Sequence, residues 1–420
     1  MTRLNQIMDG VSLIRYGGGS FELRKYFIRL CAWLQRKPLL ILETDPLLCT
    51  AILASSDKKG SFVEHLFAIP AWQPIYSIES EDGARWKALS MNCCQVFRTL
   101  KWKEKIPLQM SAFVQTLANA MHLDQSLVMD AEQVSRIALK VLYAILFEQP
   151  IEPEDETLFY NASLEWRKEI ALKGAGDYQV KEAFCQHLTQ IIKNSSYGAG
   201  LTNDHPKDGL LWLSVFAQPF ILSPQINVSD IMVSVFLFLR ADPVLYHLTR
   251  KKALAGDDAY LNAVIMESIR LQHPFPILER ELCVEMIIQG KSYPAGTQVI
   301  MILDQFIQHA TFDPQTWLEP GLKHPFEGLV FGAGKRICLG KTLAKHLMVE
   351  MLKSMLILIP DIKIQPGLGH LYSGRDNDSK TSFRESLYQI RVFGRALWRS
   401  FNIGFNKSIS GIAVEPQNIK

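Results

Sequence analysis

The chain has 420 residues, of which 48% are hydrophobic and 21% are charged, the composition of a soluble globular protein. A formal net charge of +3 is too small to indicate a nucleic-acid-binding surface. The seven cysteines show no disulfide-like spacing, and their odd number and scatter indicate a reducing compartment.

The sequence predicts neither secretion nor insertion into a membrane. Residues 1–10 carry Arg3 and Asp9 and are followed by no apolar run of the kind found in signal peptides. The most apolar stretches, residues 210–222 and 231–239, are too short to span a bilayer and are separated by a more polar run. We therefore expect a cytoplasmic protein without a membrane anchor.

The N-terminal part of the chain predicts a strand, a helix and a long loop. Residues 38–43, PLLILE, have the composition of a strand. Asp45 followed by Pro46 is a typical helix start, and the apolar run LLCTAILAS continues from it. Residues 58–82 contain two prolines and predict a long loop.

The remaining elements favour a mainly α fold with a small β region. Residues 127–147 are strongly periodic and predict a core helix, and residues 174–206 predict a surface helix. Residues 287–302 read as short strands joined by a Pro-Ala-Gly-Thr turn. Since no linker interrupts the chain, we predict one α+β domain over residues 1–394 and a C-terminal extension over residues 395–420.

A glycine-rich stretch, FGAGKRICLG, surrounds Cys338. Glycine is favoured where φ is positive or where the backbone must lie against a flat group. Downstream, apolar residues recur with a period near 3.6 residues, so a helix is predicted to begin near Leu339. Cys338 would then lie at a helix N-terminus, where amide N–H groups and the dipole favour an anion. A thiolate there would be a good ligand for a soft or borderline metal.

Other roles for Cys338 are compatible with the residues alone. Most single cysteines in loops are small buried apolar residues. A nucleophilic cysteine needs a base, and no histidine lies in an obvious partnering motif. Zinc needs about four ligands, and pairs spaced as CxxC or HxxxH are absent. Spacing alone leaves these alternatives open.

The loop resembles a known haem-binding signature. Phe331, Gly334, Arg336, Cys338 and Gly340 match, residue by residue, the F-x-x-G-x-R-x-C-x-G pattern of the cytochrome P450 family. The resemblance implies a P450-like fold, with Cys338 as the proximal thiolate ligand of a haem b iron and with Phe331 and Gly340 at the haem. Such a thiolate pushes electron density onto the iron and favours O–O cleavage.

The resemblance continues upstream of the loop. Residues 260–280 resemble the K helix of the family, whose E-x-x-R pair corresponds to Glu267 and Arg270, one helical turn apart. The resemblance implies a structural role for this pair in holding the segment before the cysteine loop. Its usual third partner, the arginine of a P-x-R-F segment, is missing, and only Lys323 or His324 could substitute.

The resemblance also implies which residues bind the haem propionates. Arg336 lies in the cysteine loop, and Arg280 follows the K helix. Trp86 in DGARWKALS resembles the C-helix tryptophan that donates its indole N–H to a propionate. The arginine that usually follows four residues later is replaced by Ser90, and core packing is an equally good interpretation of Trp86.

The helix expected on the opposite face of the haem departs from the A/G-G-x-D/E-T-T motif of the family. The best ungapped match places Ile226 at the acid and Asn227-Val228 at the threonine pair. In the family the acid and the alcohol deliver protons to dioxygen. Asn227 and Ser229 are therefore the candidate catalytic residues, and Pro224 is expected to kink the helix.

These departures leave three functions open. The favoured one is a haem-thiolate monooxygenase that hydroxylates a hydrophobic molecule, such as a terpenoid, fatty acid or polyketide of specialised metabolism. The second is a peroxide- or hydroperoxide-using enzyme (peroxygenase, isomerase or dehydratase) in which Asn227 bonds a peroxide oxygen. The third is a non-catalytic haem-binding sensor.

The favoured function implies partners as well as a substrate. Electrons would come from NAD(P)H through a redox partner, and a monomeric enzyme docking an acidic ferredoxin with its reductase is expected. Basic residues in or near the segments that face the donor are Lys335, Arg336, Lys341, Lys345, Arg85, Lys87, Arg98, Lys101 and Lys103. Apolar residues expected near the substrate are Phe62, Leu66, Phe67, Trp72, Phe216 and Phe220.

Overall fold

The computed structural model of the protein describes residues 21–43, 45–56, 58–60, 62, 72–120, 126–170, 174–198, 209–275, 277–303, 311–319, 321, 323–359, 361–364 and 391–403. Helices dominate these residues and the strands are short. The predicted mainly α fold with a small β region is therefore confirmed.

The helices follow one another along most of the described chain. They are α1 (Phe21–Leu34), α2 (Pro46–Ser55), α3 (Gly83–Thr99), α4 (Trp102–Ala120), α5 (Ala131–Phe147), α6 (Pro153–Ile170), α7 (Tyr178–Asn194), α8 (Gly209–Phe216), α9 (Ser223–Ala241), α10 (Pro243–Leu254), α11 (Asp258–Leu271), α12 (Glu327–Val330), α13 (Lys341–Leu358) and α14 (residues 391–403). A π-helical turn covers Ala217–Leu222, and short 3-10 turns cover Pro314–Trp317 and Gly334–Arg336.

The strands form three small sheets. They are β1 (Leu39–Leu42), β2 (Ser126–Met129), β3 (Ile277–Glu281), β4 (Met286–Ile288), β5 (Lys291–Tyr293), β6 (Gln298–Ile302) and β7 (Asp361–Ile364). β6 lies between β1, to which it is parallel, and β3, to which it is antiparallel. β2 pairs in parallel with β7, and β4 and β5 form an antiparallel pair.

The central strand β6 is buried on both faces. Successive side chains of a strand point to opposite faces of its sheet. Ile300 and Ile302 pack with residues of α1 and α14, whereas Val299 and Met301 pack with residues of α2. The antiparallel register then places Arg280 of β3 opposite Val299, at an edge of the functional cavity described below.

Side-chain caps set the beginnings of two helices. Asp45 caps α2, as its sequence predicts. At α5 the side chains of Asp130 and Gln133 form a capping box, which fixes the first turn. The predicted helix over residues 127–147 is therefore too long at its start, because residues 126–129 form β2 and pair with β7.

The other predicted elements agree with the structure to within a few residues. The strand predicted over 38–43 is β1, and those predicted over 287–302 are β4, β5 and β6. The surface helix predicted within 174–206 is α7. The predicted loop over 58–82 is described only in part, and the sequence analysis missed β3 and β7.

One long helix crosses the core. α8, the π-helical turn and α9 form a continuous helix of 33 residues, Gly209–Ala241. By length and composition it could cross a bilayer, contrary to the prediction that its apolar stretches are too short. Within the protein, however, 78% of its most apolar window is buried. The disruption predicted at Pro224 is a π-helical turn, in which the Ser223 N–H donates to the Gln218 carbonyl oxygen.

The last described helix packs on the first. Phe393 of α14 stacks on Phe27 of α1, with ring centroids 4.3 Å apart. Gln35 Nε2 donates to Ser400 Oγ at 2.9 Å. The predicted boundary between residues 394 and 395 lies within α14, and the division there stays a prediction.

Candidate active site

A cavity of about 360 Å³ lies between the cysteine loop, the long helix and strand β3. Most of its wall is apolar, with Leu142, Phe220, Val228, Ile231 and Leu343 among the lining residues. Charged residues also line it: Lys59, Glu79, Glu279, Arg280, Lys335 and Arg336. An apolar chamber with a few polar groups is the usual form of a small-molecule site.

Main-chain hydrogen bonds fold the cysteine loop back on itself. The Cys338 N–H donates to the Phe331 carbonyl oxygen at 2.8 Å, and the Lys341 N–H donates to the Cys338 carbonyl oxygen at 3.2 Å. Helix α13 begins at Lys341, two residues after the predicted start. Cys338 therefore lines the cavity just ahead of a helix N-terminus.

The loop glycines meet different requirements. Gly332 has φ +74° and Gly334 has φ +69°, in the left-handed region that favours glycine. A Cβ on Gly334 would lie 2.7 Å from Ala54 Cα, so this glycine also lets α2 approach the loop. A Cβ on Gly340 would lie 3.9 Å from Cys338 Sγ, so this glycine keeps the wall beside the thiol free of a side chain.

Enclosure by the surrounding protein dominates the protonation of the cysteine, although the residue is exposed at the cavity wall. It raises the pKa of the Cys338 thiol to about 11, whereas hydrogen bonds from the Gly340 and Lys341 amides act in the opposite direction. The amides at the helix N-terminus therefore favour a thiolate, as expected from sequence, but by themselves they do not outweigh the enclosure. A metal cation would supply the missing stabilisation, because a coordinating thiol loses its proton.

His273 lines the same cavity but does not act on the cysteine. Its Nε2 bonds the Val330 carbonyl oxygen at 3.1 Å, and its Nδ1 accepts the Phe275 N–H at 2.9 Å. Both ring nitrogens are engaged, and burial lowers the pKa of the imidazole. The nucleophilic alternative for Cys338 thus lacks a histidine base among the described residues of the cavity wall. A zinc cluster also lacks support, because the described residues contain no group of three His, Cys, Asp or Glu suited to a metal.

Arg336 and Trp86 meet at one edge of the cavity. The guanidinium carbon of Arg336 lies 4.5 Å from the centroid of the Trp86 ring. The same guanidinium donates to the Glu81 carbonyl oxygen at 2.9 Å and pairs with the Asp82 carboxylate. Trp86 therefore faces a cationic group at the cavity wall, which favours the site interpretation of this residue over simple core packing.

Arg280 reaches the same edge from β3. Its side chain is buried, its Nη1 donates to the Glu279 carbonyl oxygen at 2.7 Å, and its Nε has no hydrogen-bond partner within the described part of the chain. Burial, together with the positive charge of Arg336, lowers the pKa of Arg280 to about 10. Two adjacent guanidinium groups with an unpartnered N–H are suited to binding a carboxylate.

The arrangement fits a haem. The cavity brings together Phe331, Arg336, Cys338, Gly340, Arg280 and Trp86, all of which the sequence singled out. A thiolate on an apolar wall can ligate iron, and the Arg280 Nε–H, which no described residue pairs with, could donate a hydrogen bond to a propionate carboxylate. Gly340 leaves room beside the sulfur for a flat group.

Glu267 is the centre of a buried polar network behind the loop. It is fully buried and accepts hydrogen bonds from Arg270 Nε and Nη2, both at 2.7 Å. The Asp313 N–H donates to it at 2.8 Å, and Trp317 Nε1 donates at 2.9 Å. Burial by itself would raise the pKa of Glu267, but these hydrogen bonds outweigh it and lower that pKa.

Trp317 takes the place that the sequence analysis left to Lys323 or His324. His324 stacks on the Trp317 ring, with centroids 3.8 Å apart, and Lys323 is exposed. The indole N–H can replace the missing arginine because Glu267 needs a donor there and already has a cation in Arg270. The residue lies in FDPQTWLEP, where an aromatic donor could have been recognised from sequence.

The structure separates the two candidate catalytic residues. Asn227 lines the cavity, and none of the described residues pairs with its buried Oδ1. Ser229 is fully buried, does not line the cavity, and donates to the Ile226 carbonyl oxygen at 3.3 Å. Its Oγ lies 3.4 Å from Nη2 of Arg167, which in turn lies 3.8 Å from the Asp230 carboxylate. Ser229 thus belongs to a buried charged cluster outside the cavity wall, and its part in catalysis stays a prediction.

The aromatic residues expected near the substrate also divide. Trp72 and Phe220 line the cavity. Phe216 is buried in the main core, and Phe62 packs with residues of the three-stranded sheet. Two others lie outside the described residues, Leu66 and Phe67. The sequence analysis missed Gln218, whose amide also lines the cavity.

Comparison with known protein families matches the part of the chain that holds the cysteine loop. A family model described as cytochrome P450 matches residues 258–357. The 2-hydroxyisoflavanone synthase of Glycine max is 23% identical over an alignment of 231 residues that covers 49% of this chain and 44% of that protein. The mitochondrial sterol 26-hydroxylase of Rattus norvegicus is 32% identical over an alignment of 127 residues that covers 27% of this chain and 24% of that protein. Each match spans less than half of the relative.

The similarity of fold extends further than the similarity of sequence. A six-coordinated cytochrome P450 from Thermus thermophilus superposes with a TM-score of 0.55 over 79% of this chain and 90% of that chain, at 19% identity. The common fold therefore includes regions outside residues 258–357, where the family model does not match.

Proposed function

We propose that this chain is a cytochrome P450 and that it is a haem-thiolate monooxygenase acting on a hydrophobic small molecule, because a family model of that description matches residues 258–357 and the similarity of fold extends over 79% of the chain. The observation that carries the proposal is the position of Cys338, whose side chain lines an apolar cavity with Arg280 and Arg336 at its edge. An axial ligand, a hydrophobic chamber and donors for carboxylates are the three requirements of a thiolate-bound haem.

A haem b in this cavity would supply oxygen activation, because an axial thiolate favours O–O cleavage. Cys338 would hold the iron, and Arg280 and Arg336 would bind the propionates. Trp86 would keep the Arg336 guanidinium in place through its ring face. Glu267 and Arg270 have a structural role in this proposal, since their network ties α11 to the segment before the loop through Asp313 and Trp317.

The wall opposite the cysteine gives the oxidation its proposed substrate class. Trp72, Leu142, Phe220, Val228 and Ile231 line it and would exclude water from the reacting carbon. Such a wall suits a terpenoid, a fatty acid or a polyketide, and we propose hydroxylation of a molecule of this kind in specialised metabolism. The named curated relatives are a synthase and a hydroxylase.

Asn227 is the polar cavity residue that aligns with the threonine pair of the usual acid–alcohol motif. Its carboxamide can hold a water or another oxygen ligand by hydrogen bonds, but it cannot deliver a proton as a carboxylic acid does. Ile226, at the position of the acid, is buried and does not line the cavity. We therefore propose that water held by Asn227 carries the protons.

The same observation favours a second candidate function. An enzyme that uses peroxides or hydroperoxides needs no delivered protons, and the unpartnered Asn227 Oδ1 could bond a peroxide proton. Turnover assays separate the three functions. A monooxygenase forms product only with electrons from NAD(P)H, and a peroxide-using enzyme forms product without them. A sensor forms no product with NAD(P)H or with peroxide.

For electron supply we propose an acidic ferredoxin with its reductase, acting on a cytoplasmic monomer. Lys87, Arg98 and Lys101 are exposed on or beside α3 and could form the docking surface.

Reversing these three charges to glutamate should slow electron transfer about tenfold at low salt and leave ligand binding unchanged, because surface charges mainly set association rates. The wild-type rate should also fall with salt, which screens charges over about 8–10 Å. A rate insensitive to both changes would place the donor elsewhere.

The decisive test of the proposal is the absorption spectrum of the reduced carbon monoxide complex. We expect the Soret band at the long wavelength typical of thiolate ligation in the wild type. The band should be lost in Cys338→Ala and shifted to the blue in Cys338→His, because imidazole donates less electron density than thiolate.

Cys283→Ala is the matched control. Cys283 is exposed and does not line the cavity, so its removal should leave the spectrum unchanged. Retention of the long-wavelength band in Cys338→Ala would refute the proposed ligation.

A further inference from the structure

A row of polar side chains lies along the cavity face of the long helix. Gln218, Ser223 and Asn227 all line the cavity. Each has a buried atom that finds no hydrogen-bond partner among the described residues: Gln218 Nε2, Ser223 Oγ and Asn227 Oδ1. Unpartnered buried polar atoms are few in native proteins, so three in one row of a largely apolar cavity require an explanation.

The π-helical turn creates this row. In an α-helix, residues four apart share a face, as Ser223 and Asn227 do. Between Gln218 and Ser223 the turn is wider, because the Ser223 N–H donates to the carbonyl oxygen five residues back. This wider turn brings Gln218 onto the face that holds the other two. Pro224, which has no N–H to donate, follows the widened turn directly.

A main-chain bond fixes the orientation of the Gln218 amide. Gln218 Oε1 accepts the Ile78 N–H at 2.9 Å. Only the oxygen of the amide can accept, so Nε2 must be the other atom, and it carries two N–H donors. The side chain is 1% exposed, so solvent outside the protein does not satisfy these donors. A buried donor left without an acceptor costs about 1–3 kcal/mol.

We propose that Gln218 Nε2 is a substrate-recognition donor, and that the substrate is a largely apolar molecule carrying an oxygen acceptor such as a ketone or ester carbonyl. The inference rests on the proposed function and names the substrate class more closely. Along the helix, Gln218 lies roughly 13 Å from Asn227, at about 1.5 Å per residue. The acceptor is therefore remote from the end of the molecule that lies beside Asn227.

A pair of rigid probes that differ in one group tests this donor. 2-Adamantanone carries a carbonyl oxygen where 2-methyleneadamantane carries a CH₂ group of similar size. Dissociation constants of both probes for the haem-loaded full chain would be measured by calorimetry, with spin-state difference spectra as a second readout. The ratio of the two constants is compared among variants, so that differences in general hydrophobicity cancel.

Two variants of Gln218 change the donor in different ways. Gln218→Met removes the amide at similar volume, and the ratio should shift against the ketone by about tenfold, the effect of one buried hydrogen bond. Gln218→Glu keeps an oxygen for the Ile78 N–H but replaces the donor with an acceptor, so the shift should be at least as large. The second variant also serves if the first does not fold.

Gln225→Met is the matched control in the same helix. Gln225 is fully buried, its Nε2 donates to the Ile221 carbonyl oxygen at 3.1 Å, and it does not line the cavity. Its replacement should leave the ratio unchanged.

The inference is overturned if the wild type binds neither probe or if the ratio does not depend on residue 218. Either result would show that a water molecule, rather than a ligand, satisfies the amide. The carbon monoxide spectrum is independent of this ratio, so a failure of thiolate ligation would be recognised separately from a failure of ketone recognition.

Discussion

The two sides of the cavity treat buried polar groups in opposite ways. Behind the cysteine loop, Glu267 accepts four hydrogen bonds, from Arg270, Asp313 and Trp317. On the long helix, Gln218 and Asn227 each have a buried atom that no described residue pairs with. The first arrangement is complete in the protein alone, whereas the second becomes complete only with something bound.

The contrast separates residues that maintain the fold from residues that meet a ligand. A satisfied buried network stabilises the folded state, and its loss is measured as a change in unfolding free energy. An unpartnered group destabilises the folded state until a ligand pairs with it. Substitutions on the two sides should therefore change different observables.

The largest effect is expected from Glu267→Ala. It leaves the Arg270 guanidinium, the Asp313 N–H and the Trp317 indole N–H buried without their acceptor. Removing one partner of a buried ion pair costs about 3–5 kcal/mol. Chemical denaturation should show a loss of this size in the unfolding free energy.

An exposed ion pair provides the control for that loss. Lys168 Nζ lies 2.6 Å from Glu165, and its side chain is 50% exposed. Lys168→Ala should change the unfolding free energy by less than about 1 kcal/mol. Equal losses in the two variants would mean that the Glu267 network does not stabilise the fold as argued.

A smaller effect is expected from Trp317→Phe. This change removes the indole N–H and keeps an aromatic ring to stack on His324. A hydrogen bond to a charged group contributes about 1.5–3 kcal/mol, and the loss at pH 7 should fall in this range.

The pH dependence of stability tests the same bond. The folded-state pKa of Glu267 lies below its ordinary value of 4.5. The resulting stability is present above pH 4.5 and is lost as the pH falls through the folded pKa. Trp317→Phe removes one of the hydrogen bonds that lower this pKa, so the loss on acidification should begin at a higher pH. An acid profile identical to that of the wild type would contradict the assignment.

The sequence predicted the cysteine side of the cavity better than the helix side. Cys338, Arg336 and the Glu267–Arg270 pair lie in short local patterns, because one loop and one helical turn fix their geometry. The sequence analysis missed Trp317 because its indole N–H donates where the family has an arginine guanidinium. The family pattern specifies the residue type rather than the hydrogen-bond donor. A hydrogen-bond donor can be replaced by another donor of different shape.

The helix side could not be predicted because its geometry depends on distant contacts. Ser229 is two residues from Asn227 and therefore lies on another face of the helix, where Arg167 of a neighbouring helix contacts it. Gln218 joins the row through a π-helical turn that no pattern of apolar residues indicates. Its donor is oriented by Ile78, which lies 140 residues away in the chain. The fold class was predictable from local periodicity, whereas the π-helical turn was not.

The smallest effect is expected from the pair Asn227→Ala and Ser229→Ala, and it depends on which side of the helix each residue faces. Asn227 lines the cavity, so its loss should lower the fraction of NADPH electrons recovered in product by about fivefold, the effect of one hydrogen bond of about 1 kcal/mol. The electrons that no longer reach product should appear as additional hydrogen peroxide. Substrate affinity should change little. Ser229 faces Arg167 behind the helix, so Ser229→Ala should change this fraction by less than about twofold. Product and hydrogen peroxide would be measured with ferredoxin and its reductase at a fixed rate of NADPH oxidation. A larger effect for Ser229→Ala would return the serine to the proton path and contradict the placement of the two residues, whereas turnover with peroxide alone would favour the second candidate function.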